Sequence, residues 1–100
     1  MVEETRTFSL QGTADSVNKS QVTTDETIFL IDSILLNPNS SQSLYVGDGR
    51  KEFPIPAGST ISLTNTKLST VFVRASSGTQ DFYVIGNAIT QYPIIKGGAL

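Results

Sequence analysis

Apolar residues recur at short range through the second half of the chain, in runs of four or five closed by glycine, proline or asparagine. Residues 43–46 carry Leu44 and Val46, residues 60–64 carry Ile61 and Leu63, residues 71–74 carry Val71 and Val73, and residues 82–85 carry Phe82 and Val84. A spacing of two puts such side chains on one face of a strand. Several short strands separated by turn signals at this interval predict an all-β fold, a single small antiparallel β-sandwich or barrel with extended N- and C-terminal arms.

The remaining stretches are read against that rhythm. Residues 5–10 alternate, with Phe8 and Leu10 on one face, and Gln11, Gly12 and Thr13 then turn the chain; this is an edge strand or an arm. Residues 14–24 are polar apart from Val17 and Val22, and fit either a weak strand or a loop. Two readings stay open for residues 27–37. Thr24, Asp25 and Glu26 suit the start of a helix ending before Pro38, whereas β-branched Thr27, Ile28, Ile31 and Ile34 and aromatic Phe29 favour a strand. Such a strand has two apolar faces, and is either covered on both sides or bent near Asp32 and Ser33 by a bulge.

Asp48-Gly49 predicts a hairpin, and Pro54 in its returning limb places that limb at a sheet edge. Residues 56–59 read as a β-turn with Pro56 at its second position, and Leu68 as a core plug in the following crossover. Ser76, Ser77 and Gly78 read as the turn of a hairpin joining residues 71–74 to 82–85, which closes at Gly86 and Asn87. Beyond it, Tyr92, Ile94 and Ile95 precede Gly97 and Gly98, an apolar tail suited to docking. The expected organisation is an N-terminal arm or edge strand over 1–12, a sandwich over 13–87 and a tail over 88–100.

Composition narrows the function more than it defines it. One hundred residues fit one domain, and about a quarter of them are Ser or Thr, which suits outward strand positions. A net charge of −2 with scattered Lys and Arg offers no footprint for nucleic acid. There is no cysteine, hence no disulfide and no thiolate metal site. The first residues are polar and acidic rather than basic and apolar, so secretion by a signal peptide is not expected. The longest apolar stretch, 28–36, is interrupted by Asp32 and Ser33 and is far shorter than the roughly 20 residues of a spanning helix. No membrane partner is expected.

Candidate chemistry is sparse. Without histidine the usual catalytic triad has no base, and no Ser-x-x-Lys spacing opens a helix. Asp25 and Glu26 are adjacent, so on a strand they point apart. Gly47, Asp48 and Gly49 lack the recurring ligands of a calcium loop and the Lys-Ser/Thr ending of a phosphate cradle, and read as turn grammar. Asn18 and Asn39 sit in acceptor patterns for glycosylation that a serine-rich chain produces by chance. Tyr45, Phe72, Tyr83 and Tyr92 suit core packing or subunit contact better than a sugar platform, which usually carries tryptophan. No enzymatic activity, cofactor or metal is expected.

Across residues 37–86, four segments share a further likeness: Asn37 to Asp48 (Asn-Pro-Asn-Ser-Ser-Gln-Ser-Leu-Tyr-Val-Gly-Asp), then Phe-Pro-Ile-Pro-Ala-Gly-Ser-Thr-Ile-Ser-Leu, Leu-Ser-Thr-Val-Phe-Val-Arg-Ala and Asp-Phe-Tyr-Val-Ile-Gly. Their succession resembles small β-sandwich virion structural proteins of tailed bacteriophages, over about half the chain. The resemblance implies capsid decoration, with shell stabilisation by subunit contacts, or a tail, neck or head-to-tail component, and brings no catalytic residues. It implies virion localisation after synthesis in the host cytoplasm, with the major capsid protein or other virion proteins as partners. A small cyclic homo-oligomer is expected, with a trimer as its working order. Phe8 and Leu10 of the arm, and Tyr92, Ile94 and Ile95 of the tail, are the candidate partner-binding residues, by strand addition and groove filling. The alternative is a carbohydrate-binding or adhesin-like fibre domain using Tyr45 or Tyr83.

Overall fold

The strands pair by their symmetric position in the chain. The computed structural model describes the backbone of residues 2–92 and the side chains of residues 5–89. It holds eight strands, β1 (Val2–Asp15), β2 (Ser20–Gln21), β3 (Ile28–Leu36), β4 (Leu44–Gly47), β5 (Glu52–Ile55), β6 (Thr60–Lys67), β7 (Phe72–Ala75) and β8 (Thr79–Tyr92), with a 3-10 turn over Leu68–Thr70. β4 pairs with β5, β3 with β6, β2 with β7 and β1 with β8, all antiparallel. The chain is thus one long hairpin whose apex is the turn after Gly47. Rolling that hairpin up adds the contacts of β3 with β8 and of β4 with β7, and gives two four-stranded sheets, β1-β8-β3-β6 (sheet 1) and β2-β7-β4-β5 (sheet 2). This eight-stranded antiparallel sandwich has the arrangement of a jelly roll.

The core lies between the sheets. Ala14, Leu30, Leu35, Leu63, Phe82, Val84 and Ala88 of sheet 1 face Leu44, Val46, Ile55, Val73 and Ala75 of sheet 2, and Leu68, the expected plug, is fully buried in the 3-10 turn. Ile61 packs against this core from β6, and Pro54 lies on β5, the edge strand of sheet 2. At the apex, Asp48 accepts the N–H groups of Arg50 and Lys51 through Oδ1, at 2.9 and 3.0 Å, which closes the expected hairpin.

Of the two readings for residues 27–37 the strand is the one found, as β3 over Ile28–Leu36, and its two apolar faces have a physical origin. The pairing with β8 shifts between Leu30 and Asp32, so Ile31 is an extra residue. Before the bulge Ile28 and Leu30 are buried; after it the buried positions are Ser33, Leu35 and Asn37. Opposite the bulge, β8 passes so close that a Cβ on Gly86 would stand 2.4 Å from the carbonyl oxygen of Asp32 and 2.5 Å from Ser33 Cα, at a φ of 154°. Glycine alone satisfies both demands there.

Several local expectations need correction. Ser76, Ser77 and Gly78 do not close a hairpin between residues 71–74 and 82–85: β7 and β8 lie in different sheets, and the segment crosses the sandwich. The Gln80 side chain holds that crossing, its Oε1 accepting the Ser76 N–H at 2.6 Å. β8 does not close at Gly86 but runs on to Tyr92, because β1 and β3 flank it there. Nor does Gly12 turn the chain; it stays inside β1, where the Phe82 ring would lie 2.4 Å from a Cβ, so its role is to make room for that ring. In the 56–59 turn the Ser59 N–H donates to the Pro56 carbonyl at 3.1 Å, which puts Pro56 at the first position rather than the second.

Candidate interaction surface

The face of sheet 1 turned away from the core carries an apolar ladder. On β3 and β8, Ile34 stands directly opposite Ile85 and Leu36 directly opposite Tyr83. Their neighbours in sequence, Ser33, Leu35 and Val84, are buried in the sandwich, so these four point outward by the alternation of the strand. Ile34 is 38% exposed and Ile85 50%, while Leu36 and Tyr83 are half-buried. A groove of about 440 Å³ runs alongside, lined by Ser9, Gln11, Leu36, Tyr83 and Ile85 among others. The flanking outward positions, Ser9 and Gln11 on β1 and Thr60 and Ser62 on β6, are all uncharged. Asp81 and Asp32 bound the ladder at its two ends, the former accepting the Thr13 hydroxyl at 3.1 Å.

Sheet 2 presents a different outer face. Arg74 on β7 lies 4.5 Å above the Tyr45 ring of the adjoining strand and makes a 3.0 Å ion pair with Glu52 on β5. The Glu52 carboxylate accepts from both Nε and Nη2 of the guanidinium, and this hydrogen bonding holds the Arg74 pKa above its ordinary value. One face of the Tyr45 ring is therefore covered by a cation of its own chain. Tyr83 lies on the opposite side of the molecule, so Tyr45 and Tyr83 do not form one platform.

Two of the exposed acids, Asp48 and Asp25, serve turns. Hydrogen bonds from the Lys51 and Arg50 backbone N–H groups pull the Asp48 carboxyl below its ordinary value of 3.8. The Thr27 hydroxyl and backbone N–H do the same for Asp25, at 2.6 and 2.9 Å. Among the described residues no three acidic side chains come together as a cation site, and no helix is long and apolar enough to cross a membrane.

The candidate partner-binding residues fall in three places. Phe8 and Leu10 lie on the inner side of β1, partly buried against the core of their own domain. β1 itself is an edge strand of fourteen residues, hydrogen-bonded to β8 along one side. Tyr92 is the last residue of β8 and pairs with Val2. Ile94 and Ile95 lie outside the described residues. Sequence reasoning did not single out Ile34, Leu36 or Ile85. The signal for them was the unbroken apolar run Phe82, Tyr83, Val84 and Ile85, which gives a strand two apolar faces where a core needs one.

Comparison of the chain with family models, with curated proteins and with solved structures finds no match.

Proposed function

We propose that this chain is a virion structural protein of a tailed bacteriophage, a capsid decoration protein that stabilises the shell through contacts between subunits. The observation that carries the reading is the uncharged apolar ladder of Ile34, Leu36, Tyr83 and Ile85 on the outside of sheet 1. Large apolar residues outside a core, with Tyr among them and charge absent, have the make-up of a contact surface. The resemblance over residues 37–86 supplies the particle, and the jelly-roll arrangement agrees with it, since that architecture recurs in viral capsid domains; the agreement is an analogy of fold. Cryo-electron microscopy of particles assembled with the chain is expected to show it in many copies on the outer shell. Density confined to the tail or neck, or particles without the chain, refutes the decoration role.

One observation favours a second reading, a carbohydrate-binding fibre domain: the groove beside Tyr83 places an amide, Gln11, and a hydroxyl, Ser9, next to an aromatic ring. Jelly rolls also serve as lectins. Glycan-array binding that is lost in Tyr83→Ala is the expected outcome for this reading, and silence on the array refutes it.

A further inference from the structure

We infer that the free edge of β1 is where two copies of this chain join, β1 pairing antiparallel with the partner's β1 about a two-fold axis at Phe8, so that sheet 1 continues from one copy into the next. The inference rests on the proposed role as a subunit of an assembly, in which another copy is the neighbour most often met, and names the seam between them.

Among the described residues the two sheets end in four strand edges, and three of them carry a device that discourages pairing. β2 is two residues long, β5 is four residues long with Pro54 among them, and β6 loses its regular geometry at Asn65, whose φ is 49°. β1 has none of these. It pairs with β8 over fourteen residues with no shift of register, no proline and no lysine.

The phase of that pairing fixes which backbone groups the edge offers. Just past β1, the Ser16 N–H donates to the carbonyl of Gly78 opposite it at 3.0 Å. Hydrogen-bonded and non-hydrogen-bonded positions alternate along an antiparallel pair, so the even-numbered residues of β1 bond to β8. Thr5, Thr7, Ser9, Gln11 and Thr13 therefore aim both N–H and C=O away from the sheet, where no described strand meets them, and all of them are exposed.

Length and self-complementarity select a second copy as the occupant. Fourteen residues at about 3.3 Å each make an edge of ~45 Å, and a strand of ordinary length, about five or six residues, leaves most of it unpaired. Another β1 covers it. Because the outward groups sit on odd-numbered residues, a two-fold pairing sets odd opposite odd, and only two such registers overlap all but one residue of the strand. The register centred on Ser9 sets Glu3 opposite the partner's Asp15, like charge against like. The register centred on Phe8 has no such conflict: Thr5 lies opposite the partner's Gln11, Arg6 opposite the partner's Leu10 and Thr7 opposite the partner's Ser9. On its inner side Phe8, which its own core covers only in part, meets the partner's Phe8, with Leu10 and the stem of Arg6 beside it.

Sedimentation equilibrium of the full chain is expected to show a monomer–dimer equilibrium in the micromolar range. Amide hydrogen exchange carries the signature of the seam: Thr5, Thr7, Ser9, Gln11 and Thr13 are expected to exchange at least about tenfold more slowly in the dimer than in the monomer, while Arg6, Phe8 and Leu10, already bonded to β8, change less. Thr7→Pro deletes a donor that the monomer leaves to water, and is expected to raise the dissociation constant at least about tenfold while the thermal midpoint reports a folded chain. Phe8→Cys, in a chain with no other cysteine, is expected to form an interchain disulfide under mild oxidation, and Thr5→Cys is not. A monomer throughout, a trimer, a dimer whose odd-numbered amides stay fast, or one indifferent to a folded Thr7→Pro overturns the inference. Odd-numbered amides already slow in the monomer overturn it too, since the chain then covers its own edge, as does a Thr5→Cys chain that cross-links as readily as Phe8→Cys. Particles decorated by monomers overturn it and leave the proposed function standing; dimers that never appear on particles overturn the proposed function and leave the seam.

Discussion

Asn37 is the residue whose loss has the most calculable consequence. It follows the last residue of β3, is fully buried, and holds two loops at once. Its Nδ2 donates toward the carbonyls of Gln42 at 2.9 Å, Ile55 at 3.0 Å and Pro56 at 3.2 Å, while its Oδ1 accepts the Asn39 N–H at 3.1 Å. An amide has two donor hydrogens, so the three acceptors share them. Asn37→Ala removes two donated bonds and two accepted bonds, from the Asn39 backbone N–H and its side-chain Nδ2, each worth about 1 kcal/mol net, and leaves the buried Ile55 carbonyl without this donor. Water repairs part of the damage at the half-buried Gln42 and Pro56 carbonyls, so the expected loss is about 3 kcal/mol. Against the 5 to 10 kcal/mol or so available to a domain of this size, the variant folds but with a midpoint lowered by roughly 15 °C. Urea denaturation with an unchanged m-value is the assay. Asn37→Asp keeps the shape but turns a carboxylate toward three carbonyl oxygens. It is expected to lose more than Asn37→Ala at neutral pH and to recover part of the difference on acidification, when the protonated carboxyl regains one donor. A loss in Asn37→Ala below about 1 kcal/mol, or an aspartate variant no worse than alanine at pH 7, refutes the idea that donation to these carbonyls holds the loops.

Gly86→Ala drives a Cβ into the backbone of β3 at the bulge, and is expected to cost at least about 3 kcal/mol by the same urea assay. The half-buried Arg74–Glu52 pair and the exposed Lys67–Glu26 pair are expected to differ: a double-mutant cycle on the first shows coupling, while Lys67→Ala leaves the thermal midpoint unchanged. The Asp25 and Asp48 carboxyls titrate below their ordinary value of 3.8 in the folded state, so the unfolded chain binds more protons as the medium turns acid. Their contribution is complete above the unfolded carboxylate value and is lost as pH falls through the lower folded values; carboxyl NMR titration checks the order, and Asp48→Asn is expected to flatten the decline in stability below about pH 4.

The strands were legible in the chain because alternation and turn residues mark them locally. Leu44 and Val46, Ile61 and Leu63, Val71 and Val73 all face the core or pack against it, as their spacing requires. Apart from the β4–β5 hairpin at Asp48, their partners were not legible. Ser76, Ser77 and Gly78 suit a hairpin as well as a crossing, and the choice between them depends on the burial of Gln80 and on β1 and β3 taking both sides of β8. The candidate surface was concealed in the same way. Ile34 shares parity with Ile28 and Leu30, which are buried, and only the extra residue at Ile31 turns Ile34 and Leu36 to the outside. The two apolar faces of residues 27–37 already allowed a bulge near Asp32 and Ser33 as one of two readings; what the sequence did not mark is that the extra residue is Ile31, where β8 passes close at Gly86, far away in sequence.

The symmetric pairing of the strands also sets the order in which the molecule can form. Only β4 and β5 meet across a short loop; β1 finds its partner at the far end of the sequence, with Val2 beside Tyr92. Zipping outward from the Asp48 turn adds partners of steadily greater separation, so loop-closure entropy rises with each pair and folding takes milliseconds to seconds rather than microseconds. During synthesis β1 emerges first and waits longest, its Phe8 and Leu10 uncovered until residues 79–92 have left the ribosome. A permuted chain that links Tyr92 to Val2 and opens at residue 49 would turn the slowest pairing into the most local one and would refold faster, giving up only the contacts of the Asp48 turn with Arg50 and Lys51.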